Sequence, residues 1–233
     1  MGYNLVSFSG GKDSTAMLLE CKARGVRVDE IVYVETGKMW PEGKTHIERV
    51  KREFRGVKFT TLYFDFDYVM FEKERVRGKN KGKKGYGWPS NISRWCTAFK
   101  RDLIERHIKR NNEEDVTEFI GFNLDEVQRV RSIRNAHSRP RRFPLIEWRI
   151  TGAQALDACF AWDFNWGGLY ERVDRMNCWC CPLQRLSSLE YIFRERQELW
   201  LTLREMDSKT STKFRRDYTV KELEIKFRER RDT

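Results

Sequence analysis

The chain has 233 residues, 46 of them Lys or Arg and 35 Asp or Glu, for a net charge of +11 at pH 7. Its 39% hydrophobic and 13% aromatic content excludes a disordered polyelectrolyte, and no apolar run approaches the roughly 18 residues that a spanning helix needs. The opening Met-Gly-Tyr-Asn-Leu-Val-Ser lacks a basic leader region and carries Val6 where myristoylation requires Ser or Thr, so a soluble, cytoplasmic protein with no membrane partner is expected.

In chain order, the first half alternates short apolar runs with helical patterns, the mark of a parallel α/β sheet. Asn4–Phe8 reads as a buried strand and Ser14–Cys21 as a helix carrying Ala16, Met17, Leu18 and Leu19. Ile31–Val34 is a second strand, Glu42–Phe54 an amphipathic helix opened by Pro41, and Phe59–Phe64 a third strand. Residues 77–93 mix Gly78, Gly82, Gly85, Gly87 and Pro89 with lysines, a composition too flexible and too charged for a core element. Helix returns at Thr97–Lys109 and strand at Glu118–Phe122. Beyond Arg149 only helices are expected. Thr151 is placed to cap Gly152–Ala161, and the pairs Ser187 with Glu190 and Thr219 with Glu222 fit capping boxes. A soft boundary near residue 150 separates an α/β nucleotide-binding region, 1–150, from a cysteine-bearing helical region, 151–233, packed on it.

The charge is concentrated. Residues 1–74 are neutral, 75–110 carry +10, 111–126 carry −6, and 127–149 carry +6, almost all of it Arg. This distribution suits a polyanionic partner or a highly phosphorylated substrate; a solvated surface face is the plainer reading.

The sharpest local signal is Ser9-Gly10-Gly11-Lys12-Asp13-Ser14, between a strand and a helix. Two glycines bring backbone N–H groups close to an anion, and the helix N-terminus adds its dipole. Lys12 supplies positive charge, the two serines supply hydroxyls, and Asp13 is placed to orient a magnesium-bound water. The spacing is not that of a Walker loop.

This segment resembles the PP-loop of the ATP pyrophosphatases, the adenine nucleotide alpha-hydrolase superfamily. Tyr33-Val-Glu-Thr-Gly37 with Trp40-Pro-Glu42 is similar to the second-strand motif of the phosphoadenosine phosphosulfate (PAPS) reductase family. Arg94-Trp-Cys-Thr97 with Lys100 resembles that family's Arg-Cys segment. Gly121 with Asp125, Glu126 and Arg129 resembles its later Gly and Glu-Ser-Arg stretch, with Val127 in place of the serine. Cys178-Trp-Cys-Cys-Pro182 resembles its C-terminal cysteine pair. Taken in order from Leu5 to Leu183, the motifs look closest to sulfurtransferases of the DNA phosphorothioation type. The resemblance implies a doubly wound, five-stranded parallel sheet binding ATP with Mg2+, or a related adenine nucleotide, at the strand C-termini. It implies that Ser9, Gly10, Gly11, Lys12, Asp13 and Ser14 hold phosphates. Phe8, Val34, Thr36, Gly37 and Gly121 would bind the rest of the nucleotide. It also implies that Arg94, Lys100 and Arg129 act with Lys12 and Asp13 at the phosphate or sulfur-bearing end.

Of the six cysteines, Cys21 belongs to the first helix as a packing residue. Clustered cysteines in a reducing compartment are metal ligands or redox groups. Cys178-x-x-Cys181 is a chelating bite with Cys180 beside it, and the resemblance brings Cys96 close. Cys96, Cys159, Cys178, Cys180 and Cys181 are thus candidates for one centre: a 4Fe-4S cluster, a zinc ion, or a group without metal. His46, His107 and His137 read as ordinary surface residues, and the tryptophans at 148, 162, 166 and 179 as packing for the helical region.

Three functions are compatible with these residues. The first is cleavage of ATP to AMP and pyrophosphate, activating an acceptor, foremost a nucleic acid, for sulfur transfer from a sulfur donor protein. The second is a sulfonucleotide reductase of sulfate assimilation, against which stands the lack of a Cys after Cys181. The third is a non-catalytic nucleotide- or nucleic-acid-binding module.

Overall fold

The computed structural model describes residues 2–230 except 77, 79, 112–114, 134–138 and 177, and of 131–133 only the backbone. Five strands, β1 (Tyr3–Phe8), β2 (Glu30–Glu35), β3 (Lys58–Tyr63), β4 (Val116–Ile120) and β5 (Arg141–Arg142), form one sheet in the order β3-β2-β1-β4-β5. Every neighbouring pair is parallel. The chain winds outward from β1 to β3 and then re-enters on the other side of β1 as β4. Connections after β1 and β4 therefore diverge, which opens a crevice at the carboxyl ends of the strands.

Alternation along β1 sends Val6 and Phe8 to one face and Leu5 to the other. Val6 and Phe8 join the main core with Ala16, Met17, Leu18 and Leu19 of α1 (Lys12–Ala23). Leu5 joins a smaller core with Val32, Val116 and Ile108, the last from α3 (Trp95–Arg110). The remaining sheet-region helices are α2 (Pro41–Glu53), α4 (Val127–Ile133) and the single turn α5 (Pro144–Glu147). The C-terminal helices are α6 (Gly152–Ala161), α7 (Leu186–Glu195), α8 (Gln197–Ser208) and α9 (Val220–Glu229). They share the main core: α6 packs on α1, and Trp200, Leu203, Leu223 and Phe227 belong to the same cluster as the sheet. No described helix is long and apolar enough to cross a membrane.

The four expected strands occur within two residues of their expected limits. Thr151 and Thr219 cap α6 and α9 with complete capping boxes to Gln154 and Glu222. The box expected at Ser187 does not form. There α7 begins at Leu186 behind Arg185, which makes no side-chain cap, and Ser188 is buried with Leu189 and Ile192 instead. The short β5 escapes sequence patterning because both of its residues are arginines; Arg141 earns its place by pairing with Glu118 across the sheet at 2.9 Å.

The Gly/Lys-rich stretch also differs from expectation. Gly85, Tyr86 and Gly87 donate backbone hydrogen bonds to Lys73, Val69 and Met70, the last two in a π-helical turn, Tyr68–Glu72. Trp88 is buried, its amide bonded to Thr212 Oγ1 (2.7 Å) and its indole to Asp207 (2.8 Å). The glycines serve close approach. A Cβ on Gly85 would lie 2.7 Å from the carbonyl oxygens of Met70 and Phe71, and one on Gly87 would overlap Thr212. Residues 85–88 are therefore tied into the body of the protein.

At the amino end of β2, Glu30 is fully buried and is met by Tyr3 (3.1 Å), His107 (2.9 Å), Thr60 and Lys58 (3.2 Å). Burial alone would raise its carboxyl pKa, but the bonds from Thr60 and His107 outweigh it and hold the group below the ordinary carboxylate range. A depressed carboxylate contributes stability above its unfolded pKa and loses it as pH falls through the folded value. Glu30→Gln should cost ~1–3 kcal/mol in urea unfolding at pH 7 and clearly less at pH 3. An equal loss at both values would show that the charge of Glu30 contributes nothing.

Candidate functional site

The phosphate loop follows β1 and enters α1 at Gly11, whose extended backbone serves as the helix N-cap. Gly10 has φ +80°, and a Cβ there would meet Ile47, Met176 and Met39 at 3.0 to 3.3 Å. The loop is internally bonded. Ser14 Oγ accepts from the Ser9 amide (3.2 Å), lies 2.9 Å from Ser9 Oγ and donates to Gly11 O (3.0 Å). Gly121, at the end of β4, allows that strand to touch the start of α1: a Cβ would stand 2.8 Å from Ser14 Cα. Gly121 thus serves packing under the loop.

The C-terminal region holds the loop from several sides. Lys12 Nζ donates to Gly152 O (2.7 Å) and Asp13 Oδ1 (2.9 Å), and Asn123 Nδ2 donates to the same carboxylate oxygen (2.8 Å). Cys159 Sγ donates to Lys12 O (3.4 Å), Trp166 Nε1 to Gly10 O (2.9 Å), and the Lys12 amide to the Tyr170 hydroxyl (2.8 Å). His46, read as a surface residue from sequence, is buried: it stacks on Trp166 at 4.3 Å between ring centroids. Thr15 donates its one hydroxyl proton to Gly11 O (3.1 Å), so the proton on His46 Nε2 is the one shared with Thr15 (2.9 Å). His107 is half-buried against Glu30, again not a plain surface position, and His137 lies outside the described residues. Among the tryptophans, 166 and 179 are buried as packing groups, whereas Trp162 is 40% exposed.

Beside the loop lies a cavity of about 460 Å³ at the carboxyl ends of β1 and β2. Phe8, Ser9, Val34 and Thr36 line it, as do Arg94, Lys100 and Arg129. Gly10, Gly11, Lys12, Asp13 and Ser14 continue the loop from Ser9 without lining the cavity, and Gly37 (φ +70°) turns the chain just beyond Thr36. Starting α3 at Trp95 places Cys96 in its first turn and Lys100 one turn later. Cys178 pairs with Met39 in an isolated antiparallel bridge, and the Trp179 amide donates to Lys38 O (3.0 Å). This pairing brings Cys178 to the end of β2, 3.6 Å from Thr36 Oγ1. Arg175 joins the lining, oriented by its bond to Leu183 O (3.0 Å). Among the described lining residues there are four cations and three thiols, and no carboxylate.

The five candidate cysteines divide. Cys96, Cys178 and Cys181 line the cavity; Cys180 is fully buried behind it, and Cys159 is buried under the phosphate loop. Burial raises the Cys96 pKa, with Lys100 opposing, and pushes Cys181 up to about 11. Cys159 goes to about 12 for the same reason. Among the described residues, no three His, Cys, Asp or Glu side chains converge to hold a metal ion. With three thiols on the cavity and two buried away from it, the donors do not fit a closed four-thiolate site. Sequence reasoning missed Arg175, Asn123, Tyr170 and His46. Asn123 alone carried a local signal, as the Asx cap of the turn Leu124–Glu126.

Burial lowers the His46 pKa to about 3, with Arg49 adding to the effect. The ring is neutral when folded and titrates near 6.5 when unfolded, so the unfolded chain binds the extra proton between these values. Stability should therefore fall by about 1.4 kcal/mol per pH unit below pH ~6.5 from this group. His46→Gln should remove that slope in urea titrations from pH 7 to 4. An unchanged slope would place the acid sensitivity elsewhere.

The model of the phosphoadenosine phosphosulfate reductase domain matches residues 3–156. An uncharacterized protein of Methanocaldococcus jannaschii is 28% identical over 213 residues, which cover 84% of this chain and 39% of the relative. The chain thus spans about two-fifths of the length of that curated relative. The domain match takes in the phosphate loop, Arg94, Cys96, Lys100, Gly121 and Arg129, and implies adenine nucleotide binding. The chain belongs to the phosphoadenosine phosphosulfate reductase domain family.

Proposed function

We propose that this chain binds ATP with its phosphates on Ser9–Ser14 and its adenosine toward Phe8, Val34 and Thr36, and cleaves it between the α- and β-phosphates to activate an acceptor for sulfur transfer. One observation carries the reading: a cavity with four cations, three thiols and no lining carboxylate opens beside a phosphate loop at the carboxyl edge of a parallel sheet. An acceptor oxygen attacks the α-phosphorus, the bond to the bridging oxygen breaks, and pyrophosphate leaves with the electron pair. A sulfur nucleophile of the hydrosulfide class, brought by a sulfur donor protein, then displaces AMP and stays on the acceptor. Lys12 Nζ and the N-terminus of α1 stabilise the departing pyrophosphate. Arg94, Lys100, Arg129 and Arg175 face the anionic end, where guanidinium groups offer paired donors to phosphate oxygens.

Asp13 beside the loop fits the donor set that magnesium takes, one carboxylate completed by phosphate oxygens and water. Magnesium bound there supplies charge neutralisation to the pyrophosphate. Cys96, Cys178 and Cys181, which line the cavity, are the proposed sulfur-handling residues. Nucleic acid is the favoured acceptor, because residues 75–110 carry a net +10 and run into the cavity wall at Arg94 and Lys100. Sulfonucleotide reduction is the second reading, favoured by three thiols facing the same cavity as the cations.

Two measurements test this. Supplied with ATP, magnesium and acceptor, the protein should release pyrophosphate and AMP, and Lys12→Ala should slow this by about 10²–10³-fold. ADP with phosphate would contradict the mechanism, sulfite from a sulfonucleotide would favour the reductase, and undiminished turnover in Lys12→Ala would remove Lys12 from the chemistry. Nucleic-acid affinity should fall linearly on a log–log plot against salt; a flat dependence would refute phosphate contacts by the basic stretch.

A further inference from the structure

The Tyr170 hydroxyl occupies an unusual position. It accepts the Lys12 amide at 2.8 Å and the Met176 amide at 3.4 Å, and among the described residues its own proton goes to no protein group. It stands 3.5 Å from where a Cβ would lie on Gly11, against the loop itself. A hydroxyl has two lone pairs and one proton, and here both lone pairs are spent on backbone N–H groups. The oxygen is thereby fixed, and its O–H keeps the one direction left, free to donate to an acceptor that enters beside Gly11. Its ring is held edge-on against Trp166 at 4.7 Å, and Trp166 is itself bonded to Gly10 O. The turn Trp166–Glu171 that carries both rings has Trp166, Gly167 and Gly168 at positive φ, a conformation that such anchoring keeps in place. Burial raises the phenol pKa, so the proton is retained at neutral pH.

Building on the proposed function, we infer that Tyr170 is a phosphate-binding residue of the loop, donating its hydroxyl proton to an oxygen of the bound nucleotide's phosphates. Through its second accepted bond it also joins the loop to Met176, two residues before Cys178, so that an occupied loop and the thiol-bearing segment share one anchor.

The test compares ligands that differ only in phosphate. In calorimetric titrations, Tyr170→Phe should weaken MgATP binding by about ten-fold, the loss of one hydrogen bond to a charged group. Adenosine binding should stay within about two-fold, the scatter of an uninvolved contact. In parallel, 3-fluorotyrosine placed at position 170 should give a 19F resonance that shifts on adding MgATP and not on adding adenosine, a readout that does not depend on the Phe variant folding. Hydrogen exchange at residues 176–181 should slow with MgATP in the wild type and not in Tyr170→Phe. Equal weakening of ATP and adenosine would make Tyr170 merely structural, and unchanged ATP affinity or a silent 19F signal would overturn the assignment. Wild-type protein that binds no ATP would instead overturn the proposed function, and this inference with it.

Discussion

The structure depends on Gly10 and Lys12 being held from the C-terminal side of the chain. A glycine-rich loop has few side chains of its own to fix its backbone, so its shape must be set by bonds from elsewhere. Here Trp166 Nε1 and Cys159 Sγ donate to the carbonyls of Gly10 and Lys12, the Tyr170 hydroxyl accepts the Lys12 amide, and Gly152 O holds the Lys12 ammonium, all from positions 140 or more residues away. His46 and Thr15 fix Gly11 O from beneath. The helical region is in this sense part of the loop, which explains why it shares one core with the sheet.

The same constraint orders the cavity. Trp166–Glu171 leads into Arg175 and Met176, and these into the strand-like pairing of Cys178 with Met39. Anchoring the turn at the loop therefore sets where Arg175, Cys178 and Cys181 arrive. β2 supplies the opposite wall through Val34 and Thr36, and α3 supplies Arg94 at its N-cap with Cys96 and Lys100 beyond. Three segments far apart in sequence converge on one volume, and all of their lining charges have the same sign. A cavity of that kind is costly in self-repulsion without an anion to fill it.

Much of this was legible in the sequence, for physical reasons. The strands show because buried parallel strands are continuous apolar runs, and the loop shows because glycine, lysine and serine fall at one strand-to-helix junction. The resemblance implied that Cys96 comes close to the later cysteines and that Arg94, Lys100 and Arg129 act at the phosphate or sulfur-bearing end; the structure places these residues, with Cys178 and Cys181, on one cavity wall. What was hidden depends on partners distant in the chain. Neither Tyr170 nor Arg175 sits in a periodic pattern, and His46 falls on an amphipathic helix where a polar residue is expected outside. Cys159 and Cys180 were indistinguishable from their neighbours by type; only the fold separates the buried thiols from those facing the cavity. The 85–88 stretch misled because glycine signals close backbone approach as readily as a loop.

Loop and cavity together are the proposed nucleotide site. Its most direct test is a crystal structure with α,β-methylene-ATP and magnesium. The β- and γ-phosphates should lie against the backbone of Ser9–Ser14, adenosine beside Phe8, Val34 and Thr36, and the α-phosphate facing Arg94 and Lys100. A triphosphate bound away from the loop, with Lys12 still bonded to Gly152 and the cavity filled by nothing of the nucleotide, would contradict it.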